Sequence, residues 1–98
     1  MTTLLTLTPS RRPDGVTQLT AVGEIDMSNT DALATAIETT DGPLVIDLTE
    51  VEYLDSAGLS VLFRHVDRIQ LIATPLLAPV LEVSGLADLT TVHGPGGA

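Results

Sequence analysis

Ser56 stands between an acidic segment, Glu52-Tyr53-Leu54-Asp55, and an apolar-periodic run, Ala57-Gly58-Leu59-Ser60-Val61-Leu62-Phe63. A hydroxyl placed there lies where a strand yields to the first turn of a helix. Unpaired N–H groups and a partial positive charge make that turn hospitable to phosphate. The chemistry this placement suits is modification of the hydroxyl, or contact through it. Serine is also a favoured N-cap, and capping accounts for Ser56 without any function. Spacing alone leaves both readings open.

Other chemistries fit less well. A nucleophile elbow needs glycine two positions before and two after its serine, and here Gly58 is present but Leu54 occupies the earlier position. The two histidines do not complete a triad: His65 falls on the helix itself, at its surface or boundary, and His93 lies near the C-terminus. Asp55-Ser56-Ala57-Gly58 evokes the Asp-Thr/Ser-Gly of small aspartic proteases, but Ala57 interrupts the tripeptide and a helical period follows. Asp47, Glu50, Glu52 and Asp55 lack the spacing of a calcium loop, which requires glycine where Glu52 stands. They read as a solvated acidic rim. Gly94, Gly96 and Gly97 have no strand-to-helix context for a phosphate loop.

The elements that must carry Ser56 are set by composition and period. The chain has 98 residues, room for one core and one domain. Apolar residues make up 44% and aromatics 2%, so the core must be aliphatic, as in a compact α/β or α+β layer. Thirteen acids oppose four arginines, without lysine, for a net charge of −9. That surface repels nucleic acid and anionic membranes. Cysteine is absent, which removes disulfides and thiolate metal sites. No apolar run approaches a membrane span, and no secretory signal opens the chain, so a cytoplasmic location is expected.

Residues 3–7 and 16–22 read as strands joined through Pro9 to Gly15 as a β-hairpin, with Arg11 and Arg12 at a solvated tip. Ser28, three positions before Asp31, resembles a helix start, and Leu33, Ala34 and Ile37 form its apolar stripe until Asp41-Gly42-Pro43 ends it. Leu44-Val45-Ile46-Asp47-Leu48 reads as a strand covered on both faces. A helix over 57–66 follows the acidic loop, with Leu59, Leu62, Phe63 and Val66 at helical spacing. Residues 69–73 read as a strand. A third helix starts near Ala78, with Leu77, Val80 and Leu81 inward, Pro79 in its first turn and Gly85 as its cap. Residues 89–92 read as a last short strand and 94–98 as a disordered tail. Right-handed crossovers then predict a small mixed sheet with helices mainly on one face.

Gly23-Glu24-Ile25-Asp26, Leu44 to Leu48, Leu54-Asp55-Ser56-Ala57-Gly58-Leu59 and Leu81-Glu82-Val83-Ser84-Gly85-Leu86 occur in that order. Together they resemble the STAS domain family of bacterial anti-sigma factor antagonists, over residues 16 to 92. The resemblance implies an α/β fold, a β-hairpin followed by βαβαβ-type units, and a protein that is not an enzyme and needs no cofactor. It implies that Ser56 is phosphorylated by a partner serine kinase that doubles as an anti-sigma factor. Asp55, Ala57, Gly58 and Leu59 would form the switch neighbourhood, and Asp26 would match the family's acidic neighbour of the acceptor. Unmodified protein would bind the kinase and release a sigma factor, and phosphorylation would block that binding.

Small stand-alone STAS proteins also resemble accessory subunits that dock on the ATPase of lipid-type ABC transporters. Ser56 leans against that alternative, since those proteins commonly carry another residue there. The interval from Asp55 to Ile69 is shorter than usual for the family, and many relatives add a C-terminal helix beyond the point matching Ala98. The high apolar fraction is compatible with weak self-association into a homo-oligomer.

Overall fold

The computed structural model describes residues 4–95. Its elements are β1 (Leu5–Arg11), β2 (Thr17–Ile25), α1 (Thr30–Glu38), β3 (Leu44–Leu54), α2 (Ser56–Arg64), β4 (Ile69–Ile72), α3 (Ala78–Val83), α4 (Leu86–Leu89) and β5 (Val92–His93). The five strands form one sheet in chain order, β1-β2-β3-β4-β5. Only β1 and β2 are antiparallel; the later pairs are parallel.

This topology follows from the connections. A short turn can return only an antiparallel strand, whereas each parallel pair requires a crossover. When successive crossovers step the same way across the sheet with one hand, their helices fall on one face. Accordingly α1 packs against α2, and α2 against α4. Leu19, Ile25, Ile46, Leu48 and Leu71 from the sheet meet Leu33, Ile37, Leu62, Leu81 and Leu86 from the helices, all essentially inaccessible to water. The uncovered face explains the opposite parity. Thr6, Thr8 and Ser10 on β1 stand opposite Val22, Thr20 and Gln18 on β2, and none of these is buried.

Several boundaries differ from the sequence expectations. β1 runs through Pro9 and Ser10 to Arg11, because proline is tolerated on an edge strand that need not donate outward. The turn is confined to 12–16, and both arginines brace it, Arg11 remaining exposed as expected and Arg12 half-buried. Arg11 Nη1 donates to Gly15 O at 2.7 Å, while Arg12 Nη1 donates to Gln18 Oε1 at 3.0 Å. Arg12 also faces Asp14 at 3.5 Å. β2 continues beyond Val22 to Ile25, across Gly23. At Gly23, φ is 119° and a Cβ would meet Leu4 O at 2.4 Å, so only glycine lets β1 approach.

The largest correction concerns β3. The acidic stretch expected to be loop between the strand ending at Leu48 and the helix from 57 is strand as far as Leu54. Val51 and Leu54 face inward opposite Gly23 and Ile25, while Glu50 and Glu52 remain exposed. Register shifts between Thr20/Val22 and Gly23/Glu24 absorb the mismatch in period. Helix α2 is shorter than expected, ending at Arg64; Val66 lies in the turn after it.

Helix α3 starts at Ala78 with its proline in the first turn, as expected. Gly85, at φ 89°, stops α3 and opens α4. Leu86 is drawn into the core there, so Leu89 belongs to a helical turn and the last strand shrinks to Val92–His93. Thr3 of the expected first strand and residues 96–98 of the expected tail lie outside the described residues. Gly94 and Pro95 are exposed and follow β5.

Candidate functional site

The site is built where β2 and β3 end side by side, at Ile25 opposite Leu54. Each strand passes into a short acidic connection, Asp26 to Asn29 after β2 and Asp55 after β3. Asp55 N donates to Ile25 O at 3.2 Å, carrying the ladder past the strand end. The Asp55 carboxylate then binds both connections. Its Oδ1 accepts from Gly58 N at 3.0 Å and its Oδ2 from Met27 N at 3.1 Å. The first bond caps α2; the second ties the β2–α1 turn to that cap.

Asp55, not Ser56, is therefore the N-cap of α2. Capping by Ser56 would have consumed its hydroxyl, and the structure removes that explanation. Ser56 is the first helical residue and is exposed. Among the described residues its Oγ has no hydrogen bond, while its carbonyl accepts from Ser60 Oγ at 3.0 Å. Unused helix N–H groups and the dipole face the same solvent.

Gly58 is buried in the first turn of α2. A Cβ there would lie 2.6 Å from Leu54 Cδ1 and 2.7 Å from Ile25 Cγ2. The missing side chain lets the helix rest directly on the ends of β2 and β3, which sets how Ser56 is presented. Val61 and Leu62 complete the buried face, with Leu59 and Phe63 packed partly against the core. Ala57 is half-buried beside Ser56.

Asp26 lies on the same end of the sheet, next in sequence to Met27. Its Oδ1 accepts from Ser28 N at 2.9 Å and Ser28 Oγ at 2.6 Å. Ser28 is thus spent on the turn, and α1 begins later, at Thr30 after Asn29, with Asp31 in its first turn as expected. Asp55 is brought to the Asp26 turn by the Met27 bond.

The sequence reading missed two contributors. Asn29 is buried, donates from Nδ2 to Glu24 O at 2.8 Å and accepts from Asp26 N at 3.1 Å through Oδ1. Met27 is 81% exposed, an apolar side chain held at the rim beside Asp55. The dense polar run Ser28-Asn29-Thr30-Asp31 was the available signal for the first; a lone methionine gives none for the second.

The remaining sequence candidates have structural work. Asp47 Oδ1 accepts from Thr49 N at 2.9 Å and Thr49 Oγ1 at 2.7 Å, so the solvated rim reduces to Glu50 and Glu52. His65 caps the end of α2 and faces Glu38 at 3.8 Å. His93, on β5, pairs its ring with Gln70 Oε1 at 3.0 Å. Among the described residues no helix is long and apolar enough to cross a membrane.

A mixed five-stranded sheet with helices on one face, displaying a helix-start serine beside two acidic turns, defines a small α/β module of the STAS architecture. The chain belongs to the STAS family: the family model described as "Mlab, STAS domain" matches residues 10–91. Among solved structures, it resembles an anti-sigma factor antagonist from Mycobacterium paratuberculosis with a TM-score of 0.83 and 29% identity. That match covers 92% of this chain and 86% of the other. An antisigma-factor antagonist STAS domain from Rhodobacter sphaeroides shares the fold at a TM-score of 0.54 and 16% identity, over 71% of this chain and 85% of that one. A search of the curated proteins found no match.

Proposed function

We propose that this protein is a cytoplasmic, non-enzymatic, single-domain anti-sigma factor antagonist switched at Ser56. The unphosphorylated form binds an anti-sigma factor with serine kinase activity and so frees a sigma factor. Transfer of phosphate to Ser56 Oγ ends that binding. The observation that carries this reading is the division of labour between neighbours: Asp55 takes the capping role and leaves the Ser56 hydroxyl exposed at the start of α2. The likeness to the mycobacterial antagonist supports it.

The energetics are adequate without refolding. Phosphate adds about −1.5 to −2 charge. A helix N-terminus tolerates that charge in the free protein, but Asp55 and Asp26 already make the rim acidic. At about 5 Å and an effective dielectric near 20, a unit-charge pair interacts by roughly 3 kcal/mol, an upper bound that solvent screening lowers. Added bulk and lost hydroxyl contact act in the same direction, so binding should weaken by on the order of 10²-fold.

The test is a comparison of wild type, Ser56→Ala and Ser56→Asp as bait in lysate of the native host, followed by incubation of the captured kinase with ATP. Wild type should capture an anti-sigma kinase and acquire phosphate on Ser56. Ser56→Ala should capture it and remain unmodified, whereas Ser56→Asp should capture far less. Equal capture by Ser56→Asp would refute the charge mechanism. Co-purification with a membrane-transport ATPase instead would favour the transporter-subunit alternative.

A further inference from the structure

Strand β3 outruns its neighbour. Its pairing with β4 ends at Asp47 opposite Ile72, whereas its pairing with β2 continues to Leu54 opposite Ile25. Over residues 48–54, β3 therefore has a strand on one side only among the described residues. The chain leaving β4 does not fill the gap. Ala73 N donates to His93 O at 2.9 Å, and Leu77 and Ala78 N donate to Thr74 O at 3.1 and 3.0 Å. Between this loop and β3 lies a groove of about 580 Å³, lined in part by Val22, Glu50, Glu52, Pro75 and Leu76.

A free edge is a template for another strand, and proteins usually blunt such edges. The outer edge of β1 is blunted by Pro9, which has no N–H to offer. The distal half of β3 contains no proline. Its guards are the exposed Glu50 and Glu52, on a chain with net charge −9, together with the register shifts against β2 and the Asp47–Thr49 bond that occupies one amide. Pairing two copies along this edge would bring their glutamates together, which disfavours self-association. The same glutamates favour a basic strand. Leu76, 66% exposed and lining the same groove as Glu50 and Glu52, offers an apolar contact to the aliphatic stems of its basic side chains.

We propose that residues 48–54 of β3 accept an added strand from a partner protein: an extended segment that alternates arginine or lysine with β-branched residues. The edge runs directly into Asp55 and Ser56, so this surface extends the proposed partner-binding end of the sheet. It rests on that reading for the source of the segment, but not on modification of Ser56.

The experiment uses the unmodified full chain and a short synthetic peptide alternating valine and arginine, with a valine–glutamate peptide as control. Amide hydrogen exchange is followed residue by residue. The basic peptide should slow exchange by about tenfold or more at the amides within 48–54 that point away from β2, as expected for newly paired amides, and the acidic peptide should not. The folded double variant Glu50→Lys/Glu52→Lys should reverse that preference. The proposal is overturned if the basic peptide leaves 48–54 unprotected, if both peptides act equally, or if protection falls on residues 5–11 instead. Protection of 48–54 on concentrating the protein alone would mark a seam between copies and also overturn it. Because no kinase or phosphate is present, failure of the Ser56 switch would be read separately.

Discussion

Replacing Gly58 by alanine sets two physical effects against each other. In a helix interior alanine is favoured over glycine by about 0.8–1.0 kcal/mol, so local propensity alone predicts a more stable protein. Packing predicts the reverse. The new Cβ would lie 2.6 Å from Leu54 Cδ1 and 2.7 Å from Ile25 Cγ2. Leu54 Cδ1 is the end of a flexible side chain and can swing aside at small cost. Ile25 Cγ2 cannot, because it is attached to a branched Cβ in a residue with no accessible surface. Overpacking of a filled core costs about 1–3 kcal/mol, which leaves a net destabilisation of about 1 kcal/mol once propensity is deducted. For a domain of this size that should lower the melting temperature by roughly 4–8 °C. Urea unfolding of both proteins, fitted with a common slope, measures the difference. In a Leu54→Ala background most of the cost should remain, since the unyielding Ile25 Cγ2 is still in place. A Gly58→Ala protein more stable than wild type would refute the close approach of α2 to the ends of β2 and β3.

Asp55→Ala removes both the cap on α2 and the tie to Met27 N. A lost cap costs about 1 kcal/mol, and a second lost charge-assisted bond should bring the total to about 2 kcal/mol. Thermal unfolding measures the total, and exchange at the Met27 amide should quicken. Arg68→Ala tests the opposite end of the sheet. Its guanidinium donates to Ile37 O at 2.9 Å, Gly42 O at 3.1 Å and also Thr40 O, tying the last turn of α1 to the loop that leads into β3. Losing these contacts should destabilise by about 1–3 kcal/mol while leaving Ser56 phosphorylation unchanged, as mass spectrometry after kinase treatment would show.

Local pattern carried much of the fold. The apolar run Leu44 to Leu48, the helical period from Leu59, the proline-started helix at Ala78 and the glycine stop at Gly85 were all readable, because each depends on neighbours a few positions away. The second half of β3 was not. Glu50-Val51-Glu52-Tyr53 does alternate, but so short an acidic run does not by itself separate strand from loop, and the segment is strand because β2 pairs with it through two register shifts. Leu89 failed similarly: α4 exists because Leu86 has a core to enter.

Near the site, sequence alone determined the helical period that opens just after Ser56, and with it the place of Asp55, Ser56 and Gly58 at a helix start. Asp26 was singled out only through the family resemblance. Tertiary structure decided what each one does. The Met27–Asp55 bond joins residues far apart in the chain and exists only once β2 and β3 lie parallel with their ends in register. Asp55 takes the cap because its carboxylate can serve Gly58 and Met27 together, and that choice leaves the Ser56 hydroxyl exposed. Periodicity reports which face is buried; the assignment of a particular donor to a particular acceptor depends on distances that only the assembled sheet creates.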